Sequence, residues 1–198
     1  AVGEIRDDET AQIAFKSAMT GHLVFSTLHT TNSVAALSRL LNMSIQPYML
    51  SSALLLVVAQ RLVRCICPLC REEYRPDEKT LQLFLEYFDS ARLKSVFRGR
   101  GCPACSFTGY FGRTAIFELL PVSPQIRSII DHGFSEEAVF RQARTRGFQT
   151  LAEAGIAKVN QGITTLEEIA RVAELVPVGP LSGAAVSDSG KGRNVVLA

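Results

Sequence analysis

The chain has 198 residues, 47% of them hydrophobic and 20% charged, which excludes wholesale disorder and allows one full domain with a small appendage. Its 21 basic and 19 acidic residues leave a net charge of +2, too balanced by itself to mark a nucleic-acid or membrane partner. The opening residues show no secretory signal, and the longest apolar stretch, Tyr48 to Ala59, is shorter than the roughly eighteen residues of a membrane span and carries Ser51 and Ser52.

The first segment, Val2-Gly3-Glu4-Ile5-Arg6-Asp7-Asp8, leaves an apolar residue, turns at a glycine and presents a carboxylate. Asp7 or Asp8 can cap a helix whose Ala11, Ile13, Ala14, Ala18 and Met19 recur at helical spacing, with Gly21 as the stop. Leu23 to Leu28 is short, apolar and bounded by Gly21 and by His29-Thr30-Thr31-Asn32, the pattern of a buried parallel strand. Asn32 or Ser33 then caps a helix carrying Val34, Leu37, Leu40 and Leu41. Pro47 suits the first turn of a further helix, which the apolar run predicts to continue through Gln60-Arg61-Leu62-Val63-Arg64.

Two C-x-x-C pairs follow, Cys67-Pro68-Leu69-Cys70 and Cys102-Pro103-Ala104-Cys105. Each pair can bring two thiolates to one side of a tight turn, and two facing pairs make the tetrahedral sulfur set that Zn²⁺ favours. Such a closed site leaves no position for substrate, so its role is structural; two disulfides are the competing reading. Cys65 is the odd thiol and reads as a passive one. Between the pairs, Glu78 to Phe88 reads as a helix with Leu81, Phe84, Leu85 and Phe88 on one face. Thr108-Gly109-Tyr110-Phe111-Gly112-Arg113-Thr114 turns into a strand through Ala115-Ile116-Phe117-Glu118-Leu119-Leu120, where Arg113 is a candidate subunit or nucleotide contact, or else a loop arginine tied to Glu118. Helices then begin near Pro124 and at Ser135, and two more open with the capping boxes Thr150-x-x-Glu153 and Thr165-x-x-Glu168. From Pro177 the composition shifts to Gly, Ser, Ala and Val, as in a flexible tail.

In open α/β sheets ligands bind beyond the carboxyl ends of parallel strands, so Glu4 and His29 fall where a phosphate and its attacking water would be handled. A carboxylate there can orient or deprotonate the water and hold the water shell of Mg²⁺; an imidazole there can contact the terminal phosphate. Arg6 is a further candidate for nucleotide binding, against an ion pair with Asp7 that merely shapes the loop. His22, at the strand's entrance, stands at the wrong end.

These boxes, the cysteine pairs and the C-terminal helices resemble the secretion-superfamily ATPases, the hexameric motors of type II secretion and of type IV pilus assembly, over roughly residues 1 to 176. The resemblance implies an α/β fold with part of a RecA-like P-loop NTPase core at 1–64, a Cys₄ zinc module at 65–112, a mostly helical domain at 113–176 and the tail at 177–198. It implies ATP, Mg²⁺ and Zn²⁺ as cofactors, Glu4 and His29 as catalytic residues with Arg6 beside the nucleotide, and Cys67, Cys70, Cys102 and Cys105 as metal ligands. It further implies a homo-hexamer at the cytoplasmic face of a bacterial inner membrane, working through platform and cytoplasmic-linker proteins to assemble pilins or pseudopilins, with no nucleic-acid partner. The four-cysteine insertion belongs to the secretion and pilus-extension members of that family and not to the retraction branch. No G-x-x-x-x-G-K-[ST] loop occurs in the sequence, so the expectation is the C-terminal part of a longer protein that alone hydrolyses little or no ATP. The rivals are a non-enzymatic zinc-ribbon adaptor for nucleic acid or protein, which lacks interleaved aromatics and a basic stripe at the knuckles, and an inactive truncated product.

Overall fold

Asp7 starts the first helix by chemistry local to the chain: in extended conformation, its carboxylate accepts the Thr10 backbone N–H at 2.8 Å. The computed structural model describes residues 1–85, 96–174 and 195–197. Helix α1 (Asp8–Met19) buries Ala11, Ala14, Phe15 and Ala18, one stripe at helical spacing. Ile13 and Met19, expected on that stripe, are exposed, Ile13 because it lies two positions off it and Met19 at its frayed end. Strand β1 (Val24–Ser26) leads into the loop of His29, and Asn32 accepts from Ala35 N–H to begin α2 (Ser33–Asn42). Pro47 opens α3 (Pro47–Ala53) at its first position.

Beyond Ala53 the structure departs from the expected long helix. Leu54 is already extended, and residues Leu54–Ile66 form strand β2. The Ser51 and Ser52 hydroxyls turn back onto the carbonyls of Tyr48 and Met49, offering the backbone local alternatives at the helix end. From Val57 the pattern is strand-like, with Ala59 and Val63 buried while Gln60, Leu62 and Arg64 are exposed, and with β-branched Val57, Val58 and Val63 favouring a pleated surface. The apolar run was ambiguous by period alone, and the pleat won.

Strand β3 (Arg71–Glu73) pairs antiparallel with β4 (Phe97–Gly99), between which α4 (Glu78–Leu85) is described as far as Leu85. Phe84 is buried as expected; the side chain of Leu85 and all of Phe88 lie outside the described residues. Strand β5 (Tyr110–Pro121) is followed by α5 (Pro124–Gly133), α6 (Glu136–Arg144), α7 (Leu151–Asn160) and α8 (Leu166–Val172). Of the segment expected to be a flexible tail, residues Val195–Leu197 are instead strand β6, because a Val-Val-Leu run finds open sheet edges; 175–194 and 198 lie outside the described residues.

The main sheet has the order β1-β6-β2-β5, with β6 parallel to both β1 and β2. The chain divides into two compact units, and β2 and β5 each run through both. The first unit holds Ala1–Ala59, Glu118–Phe148 and β6; its core joins Phe15, Leu37, Leu50, Leu54, Leu120, Ile126 and Leu197, with α3 packed on α1 and α5. Glu118 of β5, almost wholly buried, accepts from the Ser33 N–H at 2.7 Å and from the Ser33 hydroxyl, so it serves the N-terminus of α2; it is not tied to Arg113, which stays exposed. The second unit holds Gln60–Phe117 with α7 and α8. No helix among the described residues is long and apolar enough to cross a membrane.

Candidate functional site

In the first unit the amino-terminal segment lies alongside β1: Val2 N–H donates to Phe25 C=O at 2.8 Å, Ile5 N–H to Thr27 C=O at 3.0 Å, and the Thr27 hydroxyl holds the Gly3 carbonyl at 2.8 Å. Both segments run the same way, so Glu4 and His29 emerge together at the carboxyl end of β1. The Oε1 of Glu4 lies 2.8 Å from Nε2 of His29. Arg6 Nε donates to the other carboxylate oxygen, Oε2. The partner of Arg6 is therefore Glu4, and not Asp7, whose carboxylate caps α1 and is held below its usual range first by the Thr10 backbone N–H.

The two oxygens of Glu4 are not equivalent. Oε2 is engaged by a guanidinium, whereas Oε1 is buried and, although beside His29, has no aligned hydrogen-bond donor. A buried carboxylate oxygen with free lone pairs can orient a water or accept its proton. The His29 side chain is 84% exposed and the Glu4 side chain 18%, so the imidazole stands at the mouth and the acid behind it. His22 is elsewhere, against the Thr20 hydroxyl at 3.3 Å.

The second constellation lies in the second unit. The β3–β4 ribbon begins just after Cys70 and ends just before Cys102, and Arg100 N–H donates to Cys70 C=O, so the two knuckles are folded onto one another. All four sulfurs of Cys67, Cys70, Cys102 and Cys105 lie within 4.8 Å of each other, with Cys67–Cys102 and Cys70–Cys105 at 3.9 Å and Cys102–Cys105 at 3.8 Å. A tetrahedral ion about 2.3 Å from each sulfur demands sulfur–sulfur separations of about 3.8 Å, so the set fits such a metal. None of these cysteines is in a disulfide, and Cys65, half-buried, is outside the cluster.

Backbone amides point at the sulfurs: Gly101 N–H at Cys70, and Cys102 and Gly109 N–H at Cys105, all at 3.2 to 3.3 Å. Burial pushes the Cys105 thiol up, but the amides of Cys102 and Gly109 and the neighbouring thiols outweigh it and bring it down, whereas burial drives Cys70 up. Donors aimed at a sulfur favour the thiolate, the form that binds metal. The approach requires glycine: a Cβ on Gly99 would lie 2.0 Å from the Gly109 carbonyl oxygen, and Gly101 has a φ of 93°.

Sequence reasoning missed a third cluster in that unit. Glu168, with no exposed surface, accepts from Arg64 N–H at 3.0 Å, from the Arg64 guanidinium at 2.9 and 2.7 Å, and from Arg171 at 3.0 and 2.7 Å. Burial alone would raise its carboxyl, but the two guanidiniums hold it down to about 2. Arg64 also stacks over Tyr110 at 4.0 Å, and the Tyr110 hydroxyl meets Thr165 at 2.8 Å. Read as a capping-box acid, Glu168 is capped by Thr165 in the usual way but spends its carboxylate on arginines.

An α/β chain of this kind is found in solved ATPase structures. DotB from Legionella pneumophila matches 86% of this chain and 37% of its own length with a TM-score of 0.57, and DotB from Yersinia pseudotuberculosis matches 86% and 35% with 0.55. Both are 20% identical in sequence, which makes the likeness one of fold. The family described as type II/IV secretion system protein matches residues 1–171, and the chain belongs to that family. It is 48% identical over 171 residues to "Type II secretion system protein E" of Pseudomonas aeruginosa, covering 86% of this chain and 34% of that protein. It is 47% identical over 173 residues to "Type II secretion system ATPase E" of Vibrio cholerae, covering 86% and 33%. It is 48% identical over 171 residues to "Type IV pilus assembly ATPase PilB" of Thermus thermophilus, covering 85% and 19%. The chain thus spans about a third or less of the length of these relatives.

Proposed function

We propose that the whole protein is an ATP-hydrolysing motor of type II secretion or type IV pilus assembly, in which this chain supplies the water-orienting acid, the phosphate-facing imidazole and a zinc-held module. The reading rests on one observation, the 2.8 Å approach of Glu4 Oε1 to His29 Nε2 at the carboxyl end of β1. Arg6 fixes the carboxylate through Oε2 and leaves Oε1 for the attacking water; His29, at the exposed mouth, contacts the terminal phosphate as charge develops there. Mg²⁺, when bound with nucleotide, offsets phosphate charge and is shelled by waters that a carboxylate such as Glu4 can hold. Zn²⁺ fits Cys67, Cys70, Cys102 and Cys105 and would cross-link the two knuckles without touching substrate. By the same family likeness the assembly is a homo-hexamer, cytoplasmic and peripheral to the inner membrane through its partners. Within the family, the four-cysteine insertion favours a secretion or pilus-extension role over retraction.

The test is steady-state ATP turnover by the whole protein. Glu4→Gln is expected to lower kcat about a hundredfold or more with nucleotide affinity little changed, the size expected for losing a positioned acid–base group. His29→Ala should lower it as well. Wild-type turnover in both variants overturns the reading. The 198-residue chain assayed alone should turn over little or no ATP, having no phosphate-cradling loop in its sequence.

A further inference from the structure

Strands β1 and β2 follow one another among the strands of the first unit but are not neighbours in the sheet: the place between them is taken by β6, from the far end of the chain. Two parallel strands separated by a gap one strand wide expose facing rows of N–H and C=O groups, which must be paired by something. Here they are paired by only three residues, Val195, Val196 and Leu197.

The fit on the two sides differs. Against β1 the register is regular, Val24 to Val195, Phe25 to Val196 and Ser26 to Leu197. Against β2 it slips, because Leu54 faces Val195 but Leu56 faces Val196, which leaves an extra residue on β2. Ser26 is 5% exposed and its Oγ is buried with no hydrogen-bond partner; its register partner, Leu197, offers no polar atom. An orphaned buried hydroxyl beside a strand is a cost that a better-matched strand would remove. Moreover, β6 lies beyond residues 1–171, the part shared with the family, so the sheet position is common to the family while this occupant is not.

We infer that the space between β1 and β2 is an acceptor slot for a parallel strand, and that the chain's own Val195–Leu197 fills it as an exchangeable plug. The slot recognises backbone ladders on both sides and an apolar side chain, such as that of Leu197, that can enter the core of the first unit. Because β6 runs parallel to β1, its end emerges on the sheet edge that carries Glu4 and His29. While the plug is in place, no other strand can deliver a loop to that edge. The inference stands apart from the proposed ATPase reading and is tested without nucleotide.

Amide hydrogen exchange on the chain and on a variant ending at Asn194 provides the test. Removing the plug should speed exchange at Val24–Ser26 and Leu54–Val57 by about tenfold or more, the signature of lost local pairing, with the second unit's Val63–Ile66 unchanged. Val196→Pro, which removes one ladder donor, should do the same more mildly. A synthetic peptide spanning residues 191–198 should restore protection to the shortened chain, whether that variant opens locally or loosens the first unit as a whole, and should bind the intact chain far less. Unchanged protection on truncation, no restoration by the peptide, or equal peptide binding to the intact chain overturns the inference.

Discussion

At the scale of single residues, Glu168 is the carboxylate with most at stake in the second unit. It is fully buried and shared between Arg64 and Arg171, and its pKa falls from an ordinary 4.5 to about 2. A group held lower in the folded than in the unfolded chain adds stability above its unfolded value, and that stability drains away as pH falls from about 4.5 towards about 2; a shift of this size corresponds to something on the order of 3 kcal/mol. Glu168→Gln should therefore destabilise by a similar amount at pH 7, since it leaves two guanidiniums without their counter-charge. The difference between variant and parent should shrink as the pH is lowered through that window. With no tryptophan in the sequence, urea unfolding followed by far-ultraviolet circular dichroism at stepped pH is the suitable measurement. The pair Arg98 and Glu72, 2.9 Å apart but both partly exposed, should by contrast contribute little.

At the scale of elements, the close approach of β4 to the turn before β5 sets what the knuckles tolerate. Gly99→Ala would push a methyl group to 2.0 Å from the Gly109 carbonyl, against backbone that cannot swing aside, so a loss of several kcal/mol, on the scale of severe overpacking, is expected in the second unit. Gly3→Ala meets open space at an ordinary backbone angle and should change folding stability by less than about 0.5 kcal/mol, which thermal melts of the two variants would distinguish. Elements whose signals are local were legible in the sequence: the caps Asp7, Asn32, Ser135 and Thr150, the proline opening α3, and the cysteine spacing all hold. The convergence of Glu4 and His29 was legible too, because strand ends define one edge of a parallel sheet. What escaped depends on distant partners. Whether Leu54 to Arg64 coils or pleats is settled by the strands beside it, and Val195–Leu197 has no strand signal apart from the gap it enters. Glu168 sits 104 residues from Arg64, and its spacing from Thr165 gave it a plausible local role that hid the real one.

At the scale of the molecule, the two compact units differ in what holds them. The first has a continuous apolar core running from Ile5 to Leu197, whereas the second concentrates its order around four thiols and a buried carboxylate. If the cysteine set holds a structural ion, its binding energy is part of the folding energy of the second unit alone. Elemental analysis of protein purified without chelator should then find zinc at a single equivalent per chain, and Cys67→Ser with Cys105→Ser should abolish it. Stripping the ion with a strong chelator should free all four thiols to a thiol reagent. It should also raise amide exchange across Ile66–Cys70, Arg71–Glu73 and Phe97–Cys105 while leaving α1, α2 and α3 protected, since none of their core residues contacts the cluster. Exchange that rises equally in both units would mean that the ion supports the whole chain, and exchange that does not rise at all would mean that the thiols pack without it. Because burial drives Cys70 up while backbone amides bring Cys105 down, the emptied cluster does not ionise as a set at neutral pH, so reloading should slow as pH is lowered, and a stopped-flow zinc titration would follow it.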